Sequence, residues 1–219
     1  MLKTFKLGGV HPPENKLSAG AVIETLPLPD MVSIPVSQHI GAPAQVLVQK
    51  GDKVKVGTII AKQTGFVSAN IHSSVSGTVQ KIDDVFDTSG YRRVSVIIKV
   101  EGDEWEEAID KSTILNTAIE NTTSDIIQRI SEAGIVGLGG ATFPTHVKLS
   151  VPAGKKANIL IINAVECEPY LTSDHQLMVE KGEEIMVGTT ILMKALDVKE
   201  AAIGIENNKP DAIQLLTSK

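Results

Sequence analysis

The chain has 219 residues, of which 42% are hydrophobic, 21% charged and 3% aromatic, with a formal net charge of -5. That length holds one large or two small domains with cores of their own. The acidic balance, with no Lys/Arg cluster interleaved with aromatics, argues against nucleic-acid binding.

A single cysteine, Cys167, leaves no internal disulfide and fits a reducing compartment. Apolar runs such as 157–164 are too short to span a bilayer, and Met1-Leu-Lys-Thr-Phe-Lys-Leu7 lacks the apolar centre of a secretory leader. The expectation is a soluble cytoplasmic protein.

Residues 1–28 form an irregular arm, because Gly8-Gly-Val-His-Pro-Pro-Glu-Asn15 is dense in turn and breaker residues. The arm is expected to pack across a domain surface. His11 reads as a surface or hydrogen-bonded side chain, since no second metal ligand stands at ligand spacing.

From residue 29 to 101 the pattern changes to short β segments parted by turns. Strands are expected at Val32–Pro35, Ala44–Val48, Thr58–Lys62, Ala69–His72, Gly77–Ile82 and Arg93–Val100. Gly51-Asp-Lys-Val-Lys-Val-Gly57 and Ser76-Gly-Thr-Val79 are similar to the two hallmarks of the lipoyl/biotinyl-like barrel-sandwich hybrid. The resemblance implies a small β sandwich made of two interlocked halves. Carrier domains of that type attach their cofactor to a lysine at a hairpin tip. Here the corresponding stretch, Thr64-Gly-Phe-Val-Ser-Ala-Asn-Ile-His72, has no lysine, so a structural or docking module is the better reading.

Residues 102–122 form an acidic connector, with a short helix expected around Thr113–Glu120. Asp103–Glu107 reads as a solvated face, and Trp105 is expected at a junction between domains.

The second domain, 123–219, opens with a helical pattern from Ser124 to Ala133 that Thr123 or Ser124 could cap. Gly134 reads as its C-terminal stop. Four glycines then fall within seven positions, Gly134, Gly137, Gly139 and Gly140. Pro144 suits the start of a new helical turn carrying Lys148. Glycine-loop N–H groups, a helix start and a nearby lysine together suit a phosphate.

Neither standard nucleotide fingerprint fits. The dinucleotide motif starting at Gly137 would need glycine where Thr142 stands. A Walker loop would need lysine directly after its last glycine. Phosphate cradle and plain connecting loop both stay open on spacing alone.

Beyond it, Ala157–Asn163 is an apolar run typical of a strand covered on both faces. A helix is expected from Asp174 to Leu196 with a break at Gly182 or Gly188. A second strand is expected at Glu200–Ile205, and a last helix from Pro210 to Leu216. This order predicts parallel strands with a right-handed crossover, and a ligand beyond their carboxyl ends. Asn163, Glu166, Cys167 and Glu168 follow one strand end; Glu206, Asn207 and Asn208 follow the other. Glu166, Cys167, Glu168 and His175 make only a weak metal signal.

Gly137-Leu-Gly-Gly-Ala-Thr-Phe-Pro-Thr-His-Val-Lys148 and Asn163-Ala-Val-Glu-Cys-Glu-Pro169 resemble the two flavin-site motifs of the NADH-oxidising flavoprotein subunit of respiratory complex I. With Phe5-Lys-Leu-Gly-Gly-Val-His-Pro-Pro-Glu14 and the β module, the whole chain resembles the RnfC component of the Rnf ion-translocating ferredoxin:NAD oxidoreductase. The resemblance implies a barrel-sandwich hybrid β domain (all-β) followed by a partial Rossmann-like α/β flavin-binding domain.

It further implies FMN as cofactor, with NAD(H) stacked on it. By position, Gly137, Gly139, Gly140 and Lys148 would line the flavin phosphate and ribityl chain. Asn163, Glu166 and Cys167 would meet the flavin, and Phe143 and Glu168 would contact the nicotinamide nucleotide. Leu138 and Val165 depart from the complex I motifs, which carry arginine and aspartate there.

With one cysteine, a four-cysteine iron–sulfur cluster is excluded from this chain, and such clusters would belong only to a longer parent. The chain reads as an N-terminal piece whose flavin site is incomplete. Its implied partners are the other subunits of a membrane electron-transfer complex and, indirectly, ferredoxin. Its implied place is peripheral, on the cytoplasmic face of the bacterial inner membrane. A cobalamin reductase of the same architecture and a non-catalytic docking module are the alternatives.

Overall fold

A computed structural model describes residues 12–218. His11, and the signature stretch from Phe5 as far as His11, lie outside the described residues.

The first unit has seven strands: β1 (Met31–Pro35), β2 (Gln45–Val46), β3 (Lys53–Val54), β4 (Ile59–Lys62), β5 (Ile71–His72), β6 (Gly77–Phe86) and β7 (Arg92–Val100). They form a four-stranded sheet, β1-β7-β6-β3, and a three-stranded sheet, β2-β4-β5, with every pairing antiparallel. Ile34, Val54, Ile60, Val79, Val96 and Ile98 fill one shared core. Fully burying each of these side chains contributes about 1.5–3 kcal/mol.

The two hallmark motifs are each other's hydrogen-bonded partners. Lys53 and Val54 of β3 stand opposite Thr78 and Gly77 of β6. The Gly51 N–H donates to the Val79 carbonyl at 2.8 Å, and the Val79 N–H donates to Asp52 at 2.9 Å. β6 also runs four residues beyond its expected end at Ile82, because Asp83–Phe86 keep pairing with β7.

The connector corrects two expectations. Residues 113–120 form no helix. The Asp110 carboxylate accepts the Ser112 N–H and the Asn116 side-chain oxygen accepts the Ala118 N–H, and short polar side chains compete with helix in this way. Trp105 lies against the β unit: residues 104–106 bracket Val56, whose N–H and carbonyl bond to Glu104 and Glu106. The Lys111 ammonium covers its ring at 4.7 Å.

The junction forms elsewhere, at the β4–β5 loop where a carrier would present its lysine. Asn70 Nδ2 donates to the Glu132 carbonyl at 3.0 Å. His146 Nε2 bonds to the Phe66 carbonyl at 3.1 Å, with the two rings edge to face.

The second unit comprises α1 (Thr123–Glu132), α2 (Thr145–Leu149), β8 (Leu160–Ala164), α3 (Ser173–Glu180), α4 (Gly182–Leu196), β9 (Ala201–Ile205) and α5 (Pro210–Thr217). α1 is capped one residue before the expected positions. Thr122 accepts from the Asp125 N–H, and the Asp125 carboxylate returns the bond to the Thr122 N–H. Gly134, at φ 65°, stops the helix as expected: its own N–H bonds to Ser131, and that of Ile135 bonds back to Ile130. The helix expected across 174–196 is broken at Lys181, so that Gly182 opens α4.

β8 and β9 are parallel, Leu160 to Ala164 against Ala201 to Ile205. β8 is not covered on both faces. Ala164 is buried on the side of Met178, Ala212 and Leu216, whereas Ile161 on the opposite face is 68% exposed. An apolar run of strand length does not report how many faces are covered. Among the described residues the sheet has two strands, with α3 and α5 packed beside one face.

Candidate functional site

Three loops meet beyond the carboxyl ends of β8 and β9. The first is the glycine loop 135–144, whose ends are pinned where the Gly137 N–H meets the Phe143 carbonyl (3.0 Å) and the Thr145 N–H meets Ile135 (2.9 Å). α2 starts straight after Pro144 and carries Lys148 back over the loop. A Cβ on Gly137 would collide with the Lys148 ammonium, one on Gly140 would meet nothing, and Gly139 is in the left-handed region at φ 76°. Glycine therefore lets the ammonium lie against the main chain at this point. Lys148 Nζ has neither ion pair nor hydrogen bond among the described residues.

The second loop, 165–172, follows β8. Asn163 is exposed at the strand end and accepts the Val165 N–H on Oδ1 (3.2 Å). Glu166 is only 8% exposed and left-handed at φ 53°. Its carboxylate accepts the N–H groups of Asp174 (2.5 Å) and His175 (3.2 Å), so it closes the N-terminus of α3. With its carboxylate so engaged and its carbonyl bonded to Lys16 Nζ (3.1 Å), Glu166 has its main-chain N–H to offer a ligand. Cys167 and Glu168 are exposed, and Phe143 is half-buried.

The third loop, 206–209, holds Lys209, which is 2% exposed. Its ammonium donates to the Val165 carbonyl (2.8 Å), Glu206 (3.1 Å) and Asn208 (3.1 Å) and so ties the two strand ends together. His175 Nε2 adds a second tie to Asp211 at 2.8 Å.

Asp174 links the first two loops, since a Cβ on Gly139 would lie 3.5 Å from its carboxylate. Partial burial pushes the Asp174 carboxyl above its ordinary value, and the charges of Glu166 and Glu168 push the same way; Lys209 opposes them. With the folded value above the unfolded 3.8, this group adds stability below pH 3.8, and that stability is lost as pH rises through the raised folded value. Asp174→Asn should therefore raise Tm at pH 7 and leave it unchanged at pH 3. An equal shift at both pH values would exclude the carboxylate charge as the cause.

Gly137 and Lys148 are thus brought into contact, Gly139 faces Asp174, and Glu166 organises α3. Among the described residues, the Cys167 and Glu168 side chains make no hydrogen bond or ion pair with that group, although the Glu168 charge reaches Asp174. Sequence reasoning missed Lys16, Asp174 and Lys209 as structural parts of this region. A lysine is by default a surface residue, and only tertiary packing reveals that Lys209 is enclosed. No group of three or more His, Cys, Asp and Glu side chains able to hold a metal occurs among the described residues. No described helix is long and apolar enough to cross a membrane.

A β sandwich is joined through its β4–β5 loop to an α/β unit whose glycine loop lies under Lys148. Consistent with this, residues 3–103 match the RnfC barrel sandwich hybrid domain and residues 130–219 match the Nuo51 FMN-binding domain. The chain is 48% identical over 218 residues to the C component of the proton-translocating ferredoxin:NAD(+) oxidoreductase complex of Clostridium ljungdahlii, covering 99% of this chain and 47% of that protein. It is 45% identical to the Na(+)-translocating counterpart of Acetobacterium woodii (97% and 48% covered). It is 42% identical to the C component of an ion-translocating oxidoreductase complex of Rhodobacter capsulatus (99% and 42%). Over nearly all of its length the chain is thus similar to RnfC-type relatives, and it spans about half the length of the relatives it matches.

Proposed function

We propose that this chain carries the flavin- and nucleotide-handling part of an ion-translocating ferredoxin:NAD oxidoreductase, with FMN held at the glycine loop. The observation that carries the reading is the contact of Gly137 with the Lys148 ammonium, unpartnered among the described residues, inside the stretch that matches an FMN-binding domain. Such a cradle fits a phosphate-bearing group, because main-chain N–H groups and one cation complement its charge.

In this reading Gly137, Gly139, Gly140 and Lys148 hold the phosphate and ribityl chain. Asn163, Cys167 and the main chain at Glu166 meet the flavin, while Phe143 and Glu168 receive NAD(H). The parallel β8–β9 pair is the start of a Rossmann-like sheet. FMN, when bound, supplies the redox chemistry, and the chain's own residues bind and orient it.

Iron–sulfur centres belong to the parts of such a protein outside these residues, and attachment to the cytoplasmic membrane face comes through other subunits. The relatives' names favour this reading over a cobalamin reductase.

Titrating FMN into the full-length gene product and following quenching of flavin fluorescence tests it. Saturable quenching at a stoichiometry of about one per chain is the expected result. Absence of binding would leave the glycine loop as a structural connector.

A further inference from the structure

We infer that residues Glu14–Ser18 form a clasp on the 165–172 loop, with Lys16 as a positioning residue for the flavin site; this rests on the FMN reading above. Lys16 Nζ donates to three main-chain carbonyls of that one loop: Glu166 (3.1 Å), Glu168 (2.8 Å) and Leu171 (2.7 Å). An ammonium has three donors and no acceptor, so its capacity is filled by a segment 150 and more positions away.

The neighbours of Lys16 reinforce the grip. The Glu14 carbonyl accepts the Tyr170 N–H at 2.9 Å, and its carboxylate accepts from Asn208 at 3.1 Å. The hydroxyls of Ser18 and Thr172 bond at 2.7 Å. Between the clasp and the loops lies a cavity of about 140 Å³, bordered by Glu14, Lys16, Glu166, His175 and Lys209.

The loop needs such a hold. Two of its residues, Glu166 (φ 53°) and Tyr170 (φ 70°), are left-handed without being glycine. Backbone of that kind persists only where its surroundings over-determine it. Glu166 is also the residue whose carboxylate closes α3, so that its main-chain N–H is what it offers at the site. Removing the ammonium would leave three converging carbonyls without their donor and release the two strained residues. Lys16 has no carboxylate partner among the described residues, so its charge stays beside the loop and favours an anionic ligand there. Loop order and ligand affinity should therefore fall together.

The test uses the full-length gene product with Lys16→Met and Lys16→Arg, read by amide hydrogen exchange and by FMN titration. Lys16→Met is expected to speed exchange in 165–172 at least tenfold, to leave 94–100 unchanged, and to weaken FMN binding at least tenfold. Lys16→Arg keeps the charge, but its planar fork does not reach three converging carbonyls, so loop exchange should fall between the other two. Unchanged loop exchange in Lys16→Met overturns the clasp. Faster loop exchange with unchanged FMN affinity overturns the positioning role. If Lys16→Met also speeds exchange in 94–100, Lys16→Arg decides: a loop-only change supports the clasp, and wild-type exchange overturns it. Should the wild type bind no FMN, the flavin reading fails by itself, and Lys16 is then judged as a clasp by exchange alone.

Discussion

Gly137→Ala should weaken FMN binding by the full-length gene product about 10- to 100-fold while changing its stability by less than about 1 kcal/mol. The added Cβ meets the tip of a flexible side chain, the Lys148 ammonium, which can swing into solvent without disturbing the core. What is lost is the ammonium's place over the loop, and a hydrogen bond to a charged group contributes about 1.5–3 kcal/mol. At about 1.4 kcal/mol per tenfold, that is the stated range. Lys148→Ala should lose a similar amount. Because both changes remove the same interaction, the double variant should bind FMN no more weakly than Lys148→Ala alone. Fluorescence titration of the three variants checks this, and additive losses would show that Gly137 acts independently of the lysine.

Gly134→Ala should behave in the opposite way, with a large loss of stability. At φ 65° an L residue is strained, and its Cβ would collide with the Asn70 carbonyl oxygen, a main-chain atom unable to swing aside. Left-handed strain costs about 1–2 kcal/mol and overpacking about 1–3 kcal/mol, so a loss of about 2–5 kcal/mol is expected in denaturant unfolding. The damage should centre on the junction, because Asn70 also holds Glu132 and Ser131 bonds to Gln63. Gly140→Ala, whose Cβ meets nothing, should stay within about 0.5 kcal/mol of the parent. Equal losses at Gly134 and Gly140 would exclude the close approach as the cause.

Much of the architecture was legible because it rests on local chemistry. Alternation and turn residues mark the strands of the β unit, and each of the six expected segments overlaps an observed strand. Gly134 ends α1 because only the left-handed region closes that helix, and Pro210 opens α5 because it lacks an N–H that the first turn would leave unpaired. The parallel pairing of β8 and β9 follows from the helices between them. The short helix expected around residues 113–120 does not form: Ile114 is exposed and anchors no helical face.

The amino-acid sequence by itself determined the two-part plan, the glycine loop with Lys148 and the family resemblance, since these depend on motifs read a few residues at a time. Tertiary structure decided which charges are enclosed and what they hold. Lys209 and Lys16 look alike in sequence, yet one is sealed between two strand ends and the other grips a loop 150 positions away. Glu166 looks like a plain loop acid or a ligand contact in sequence, and in the fold its carboxylate closes α3. The physical reason is common to all three: a charged group's role is set by the dipoles that surround it after folding, and those come from segments distant in sequence.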